Sequence, residues 1–392
     1  MAGRTVTARR TATAGRAAAT GSIDRPVVVL LGGPSAEHDV SVVSGTAIAE
    51  ALASSGIAAE QVLIDLASGW WFLPTDHRRA GRAAAAYDDP AALGARGPLR
   101  IGEALDDLAT RPEPPVVFIA LHGPFGEDGT IQGALEAAGL PYTGAGVAAS
   151  ALGMDKALFK RMCRGLGLPV VDWREVRLTR WAADPESVQA ELAAFAAGSG
   201  EPRLMVKPAR LGSSVGMTLA HDPAQLAGAL DAAFHFDDLA LAETYLAGAR
   251  DLEVSVIGND PAQLEIYGPG EIVSGHEFYD YAAKYTPGLS ETSTRAEVTD
   301  AQRALMRKLA RDVYRAIGTE GFARIDFLVA GERIVVSEIN TIPGFTPISL
   351  FPTMPAEGGY GFADVCRRIL ELALERHAAR PGARLTTGDL PR

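Results

Sequence analysis

Five consecutive apolar residues, Val27-Val28-Val29-Leu30-Leu31, are followed at once by Gly32-Gly33-Pro34. A run without polar alternation suits a strand covered on both faces, the condition of a sheet sandwiched by helices. The residues that follow meet that condition. Asp39 to Ala53 sets Val42, Val43, Ile48 and Leu52 on one helical face, and Gln61–Leu66 reads as a second strand. Strand, helix and strand in so short a span form a βαβ unit, so the chain opens as an α/β protein.

Later segments extend the pattern. Val116–Leu121 is the next buried strand and ends at His122-Gly123, and the turn-rich run 141–146 marks a first boundary. Ala148 to Arg164 reads as one amphipathic helix that stops near Gly165 and Gly167. Strands follow at Leu204–Lys207 and Leu239–Tyr245, with a Gly/Ser loop at 212–216 and a helix near 222–234. The last third holds strands at 252–257, 322–329 and 333–339, and helices at 300–317 and 360–379. Residues 75–100 read as a surface excursion and 258–295 as a long functional loop. A chain of 392 residues accommodates two or three domains. The expected layout is a tail at 1–24, domains at 25–146, 147–235 and 236–380, and a flexible tail at 381–392.

Charge excludes several functions. Residues 1–23 carry Arg4, Arg9, Arg10 and Arg16 and no acid; against a total of −11, these four charges leave −15 for the rest. An acidic body argues against a binder of nucleic-acid backbones. The front segment has too few large apolar residues to fold alone and is expected to be disordered, an inert tail rather than a targeting signal. No apolar run reaches the ~20 residues of a membrane helix. Cys163 and Cys366 stand in apolar helical contexts and read as buried thiols, not as a metal or redox pair.

Several short patterns carry little. Gly144-x-Gly146-x-x-Ala149 imitates a dinucleotide fingerprint but lacks the preceding strand. Gly212-Ser213-Ser214-Val215-Gly216 fits a nucleophile elbow, yet Met217–Ala220 after it looks like a strand where the elbow needs a helix. There is no Gly-Lys dipeptide for a Walker loop, no HExxH, and no zinc spacing among seven histidines. A stronger constellation is Asp326, Glu338 and Asn340 near the ends of two apolar strands. Two carboxylates and an amide oxygen suit Mg²⁺; a structural ion pair with Arg324 is an equal alternative on those residues alone. Lys207 at a strand end beside the 212–216 loop offers a point charge and exposed N–H groups to phosphates, and Lys156 adds a second cation.

Six ordered motifs then carry a resemblance. They are Leu30–Ser41 (LLGGPSAEHDVS), Leu121–Gly133 (LHGPFGEDGTIQG), Met154-Asp155-Lys156, Val206-Lys207-Pro208 with the 212–216 loop, His276–Tyr285 (HEFYDYAAKY) and Glu338–Thr346 (EINTIPGFT). From about Val27 to Leu374 the chain resembles the D-alanine–D-alanine ligases. The resemblance implies an α/β ATP-grasp fold of three domains with the active site between them. It implies a cytoplasmic, homodimeric enzyme that uses ATP to join two D-alanines through an acyl phosphate for peptidoglycan precursors. Two Mg²⁺ ions are implied, with Mn²⁺ as a substitute, and neither a nucleic acid nor a membrane as partner.

Residue roles follow from the same resemblance. Glu37, past the Gly-rich turn at the carboxyl end of the first strand, would hold the first D-alanine's ammonium, tied to Ser213 and Tyr285. Arg324 and the N–H of Gly344 would stabilise the oxyanion. His122, Ser349 and Leu350 would bind substrate, with Ser349 on the second D-alanine's carboxylate. Lys156, Lys207, Ser214 and Lys284 would contact ATP phosphates; Glu243, Thr244 and Leu246 the adenine; Asp251, or else Glu253, the ribose. Asp326, Glu338 and Asn340 would hold the metal. The segment between Glu243 and Glu253 is one residue longer than the family pattern, and Pro347 stands where serine is common. The first leaves the ribose contact open; Pro347 and the atypical run Ser290-Glu291-Thr292-Ser293-Thr294 leave room for another second substrate, such as D-lactate, D-serine or a different D-amino acid. Tyr285 after Lys284 favours an amine acceptor. A serine hydrolase acting through Ser214 and a regulatory homologue without catalysis are the competing classes.

Overall fold

A computed structural model describes residues 23–274 and 290–380. Its strands form three sheets. The first comprises β1 (Val27–Gly32), β2 (Ala59–Ile64), β3 (Trp70–Phe72), β4 (Arg96–Leu99) and β5 (Val116–Ile119), in the order β4-β3-β2-β1-β5. β1 runs parallel to both neighbours, and all six of its residues are buried. The unbroken apolar run is thus explained by its central place. The helix His38–Ser54 packs on β1 and carries Val42, Ile48 and Leu52 inward.

Residues 75–100 are more than a surface excursion. They supply the edge strand β4, and Tyr87 is fully buried against Leu31, Val42, Leu63 and Leu73. One aromatic in an Ala/Gly/Pro-rich stretch has no periodicity to announce it.

The second sheet is β6 (Trp173–Arg177), β7 (Leu204–Pro208), β8 (Thr218–Ala220) and β9 (Leu239–Thr244), in the order β6-β9-β7-β8. β9 lies between β6 and β7, antiparallel to both. A domain limit at 235 would therefore cut a central strand out of its sheet, and any division belongs after Thr244. The third sheet is wholly antiparallel: β10 (Arg250–Ile257), β11 (Glu265–Ser274), β12 (Ser290–Ser293), β13 (Phe322–Ala330) and β14 (Arg333–Asn340), ordered β12-β11-β10-β13-β14. The expected long loop at 258–295 thus contains two paired strands. β12 is a Ser/Glu-rich edge strand, and solvated edges show little apolar alternation.

Nor is Ala148 to Arg164 one helix. It breaks into Val147–Met154 and Lys156–Gly165 at Asp155, whose backbone is extended. The Asp155 carboxylate caps Leu158 N at 2.9 Å, while Lys156 N donates to Ala209 O at 3.0 Å. Local capping and a long-range bond together outweigh helical continuity. Cys163 and Cys366 are free buried thiols, and burial pushes Cys163 up to about 11.

The C-terminal helix Phe362–Ala379 crosses back to the first sheet, where Val365, Ile369 and Leu372 pack with Val27, Val29 and Ile48. Phe345 joins the layers. Its ring lies 5.6 Å from Phe118 on β5 and 6.1 Å from Phe322 on β13, with Phe351 and Phe362 completing the cluster. Phe345→Ala should lower unfolding free energy by about 3–5 kcal/mol, the range for emptying an aromatic core site, as read by denaturant melts. A loss below ~1 kcal/mol would show that the ring is not the joint between sheets.

Candidate active site

A cleft opens where the second and third sheets face each other. Lys156, Lys207, Ser213, Ser214, Glu243 to Leu246, Asp251, Glu253, Arg324, Asp326 and Glu338 line it. Strand register explains the acidic wall. Glu253 on β10 stands opposite Asp326 on β13, which stands opposite Glu338 on β14. Three carboxylates thus occupy one row across three adjacent strands. The next row pairs Arg324 with Asn340.

Such a row would repel itself without cations. Arg324 answers it with a fork to Asp326, Nε to Oδ1 and Nη2 to Oδ2, both at 2.7 Å, and approaches Glu253 Oε2 at 3.3 Å. Burial opposes its charge, but Asp326 and Glu253 outweigh that and hold the guanidinium far above its usual range. Asn340 Nδ2 donates to Asp326 Oδ2 at 2.9 Å. Lys156 Nζ lies 3.1 Å from Glu338 Oε2 and donates to Leu211 O at 2.7 Å. Burial pulls this ammonium down, and Glu338 more than offsets it, so Lys156 stays a full cation. The structural ion pair and the oxygen-donor set, equal alternatives in sequence, are therefore the same residues.

The 212–216 segment is a loop between β7 and β8, not a strand-to-helix elbow, so Ser214 is not set up as an elbow nucleophile. Ser213 and Ser214 both adopt positive φ, +51° and +56°, a conformation that serine tolerates at a cost. That bend brings Ser213 Oγ onto Glu37 Oε1 as donor. Glycine makes room for the carboxylate. A Cβ on Gly123, whose φ is +76°, would stand 2.5 Å from Glu37 Oε2, and one on Gly212 would stand 2.8 Å from it. Glu37 itself precedes the helix His38–Ser54, beyond the end of β1.

His122 is buried beside this group. Its Nδ1 lies 2.9 Å from Ile342 O and its Nε2 2.9 Å from Ser44 Oγ, and burial keeps it below the usual imidazole range. The ring is therefore uncharged at neutral pH. Gly344 lies two residues beyond Ile342, where an added Cβ would be 3.4 Å from Ser349 Oγ. Ser349 Oγ accepts from Thr346 N at 3.1 Å, and Leu350 is buried against Ile272 and Met354. Lys284 and Tyr285 lie outside the described residues.

Three charged groups gain weight in the structure. Lys160, fully buried, faces Glu243; its sequence sign was only a lysine four residues after Lys156. Glu253 is tied to Arg324, and Asp251, two residues along the same strand, lines the cleft as well. Glu127, inside the Leu121–Gly133 run, accepts from Gly123 N at 3.0 Å. Burial, reinforced by Glu37, pushes it up to about 8, so it carries a proton at neutral pH.

Residues 26–145 match the family model for the D-ala D-ala ligase N-terminus, and residues 162–371 that for its C-terminus. The D-alanine–D-alanine ligase of Chlorobaculum tepidum is 37% identical over 90% of this chain and 97% of its own length. That of Kineococcus radiotolerans is 39% identical over 89% and 96%. Among solved structures, the D-alanine–D-alanine ligase from Coxiella burnetii aligns with TM-score 0.76 and 29% identity over 90% of this chain and 95% of that one. The VanG D-Ala:D-Ser ligase from Enterococcus faecalis aligns with 0.74 and 27% over 89% and 99%.

Glu127 yields a pH test. Between the ordinary glutamate range and about 8 the folded chain keeps a proton that the unfolded chain releases. The contribution of this group to stability is therefore present at low pH and lost as pH rises through that window. Glu127→Gln should flatten that part of the stability–pH curve, measured by urea melts from pH 5 to 9. A curve parallel to the parent's would contradict the buried proton.

Proposed function

Because the chain belongs to the D-alanine–D-alanine ligase family, we propose that this cleft uses ATP to join two D-alanines as D-alanyl-D-alanine, for cell-wall precursors. The observation that carries the reading is the acidic row of β10, β13 and β14 set against Lys156, Lys207 and the serine loop. Anionic phosphates fit between these two walls, with the cations already in place.

The chemistry needs a carboxylate made electrophilic. Transfer of the γ-phosphoryl group to one carboxylate oxygen of the first D-alanine gives an acyl phosphate and ADP. The amine of the second D-alanine attacks the carbonyl, and the tetrahedral intermediate expels phosphate. Glu37, anchored by Ser213, takes the first ammonium. Lys156, Lys207, Ser214 and Lys284 hold the phosphates, while Glu243, Thr244 and Leu246 receive the adenine and Asp251 the ribose. Arg324 is a permanent cation, and with Gly344 N–H it faces the charge that develops on the carbonyl oxygen. His122 and Leu350 shape the substrate pocket, and Ser349 receives the second carboxylate. By the family resemblance, Tyr285 would hydrogen-bond with Glu37.

Asp326, Glu338 and Asn340 form a hard-oxygen set of the kind Mg²⁺ takes, and the charge on both carboxylates is already matched by Arg324 and Lys156. We assign them two Mg²⁺ ions, with Mn²⁺ as a substitute; bound there, the metal would neutralise phosphate oxygens. Domains at 25–146, 147–244 and 245–380, a homodimer and a cytoplasmic location complete the proposal. Among the described residues, no helix is long and apolar enough to cross a membrane.

Phosphate release with ATP, Mg²⁺ and a panel of D-amino and D-hydroxy acids tests the reading, with product masses recorded. D-Alanine alone should give the dipeptide; its absence would falsify the proposal. A product formed only with D-serine or D-lactate as partner would show an altered acceptor, with Pro347 the first residue to revert to serine. Glu338→Gln should keep the fold by circular dichroism and lose at least about 10²–10³ in kcat, the scale of a deleted electrostatic partner. Near-parental turnover would remove Glu338 from the metal set.

A further inference from the structure

Lys160 lies behind the cleft rather than in it. It follows Lys156 by four residues on the helix Lys156–Gly165, so the two side chains leave one face a turn apart. Lys156 reaches Glu338, and Lys160 reaches Glu243. Lys160 is 0% exposed, and its Nζ stands 3.2 Å from Glu243 Oε1, off the direction of a good hydrogen bond. On the other side, Lys207 Nζ stands 2.9 Å from the same oxygen. Glu243 is 4% exposed and Lys207 5%.

Two buried ammonium groups therefore converge on one carboxylate oxygen. Such a cluster carries one positive charge too many for its surroundings, and uncompensated buried charge is costly. Of the two cations, only Lys207 lines the cleft. An incoming phosphate can take Lys207, and what remains behind is a neutral Lys160–Glu243 pair. Burial, with Lys207 adding to it, depresses Lys160, while Glu243 opposes both. Departure of Lys207 removes one of those depressing influences, so the remaining pair tightens.

We infer that Lys160 is a positioning residue for the nucleotide site. It is the resident counter-ion of Glu243, which releases Lys207 to the phosphates and keeps the Glu243 carboxylate in place against the base. This rests on the proposal that Lys207 and Glu243 contact ATP.

Lys160→Met is close in volume and leaves Glu243 paired with Lys207, so the fold should survive. Lys207 is then the sole counter-ion and is withheld from phosphate. KM for ATP should rise about tenfold, with kcat and the KM values for D-alanine within about twofold of the parent; a merely structural loss would not separate these quantities. Lys160→Gln should behave alike if Lys160→Met proves insoluble. An unchanged KM for ATP in both Lys160 variants would overturn the inference. Lys207→Met separates the failures. If it raises KM for ATP and the Lys160 variants do not, the inference alone falls. If neither moves KM for ATP, the assigned nucleotide site falls with it.

Discussion

Charge balance inside the cleft is the constraint on which the rest depends. Glu243 and Glu253 are buried, Asp326 and Glu338 partly so, and each is matched by a cation: Lys160 and Lys207, Arg324, Arg324 again, and Lys156. Breaking a buried pair is far more costly than never forming it, so these groups must be re-partnered rather than merely exposed when substrates enter. Phosphates can replace carboxylates in front of the lysines, and metal ions can replace ammonium in front of the carboxylates. The protein as described is therefore already neutralised for the complex it is built to form. An acidic chain of net charge −11 can handle an anionic nucleotide because the positive charge is local.

Backbone geometry sets where the Glu37 carboxylate sits. Gly123 and Gly212 approach the Glu37 carboxylate more closely than any side-chain-bearing residue could, and Ser213 is bent into positive φ to reach it. Two loops from different sheets thus meet on one carboxylate. Phe345, beside Gly344, meanwhile ties the first and third sheets through Phe118 and Phe322. The backbone at Gly344 is thereby linked to the packing that joins the layers.

Much of this was legible in the chain. β1 announced itself by an unbroken apolar run because both of its faces are covered, and β13 and β14 did so because their apolar residues flank the acids of the cleft. The Asp155 break was not legible, since its decisive bond is to Ala209, more than fifty residues away. β9 was legible as a strand, but its place between β6 and β7 depends on non-local pairing. Tyr87 lacked a periodic context. Lys160 was hidden for a different reason: a lysine on a helix is solvated by default, and only Glu243 and Lys207 reveal why this one is not.

The most direct measurement of the central claim follows oxygen rather than rate. D-Alanine labelled with ¹⁸O in its carboxylate would be turned over with ATP, and the released phosphate analysed by mass. Activation through an acyl phosphate transfers one labelled oxygen to each phosphate released. Phosphate without label, accompanied by dipeptide, would contradict a carboxylate phosphorylated in this cleft.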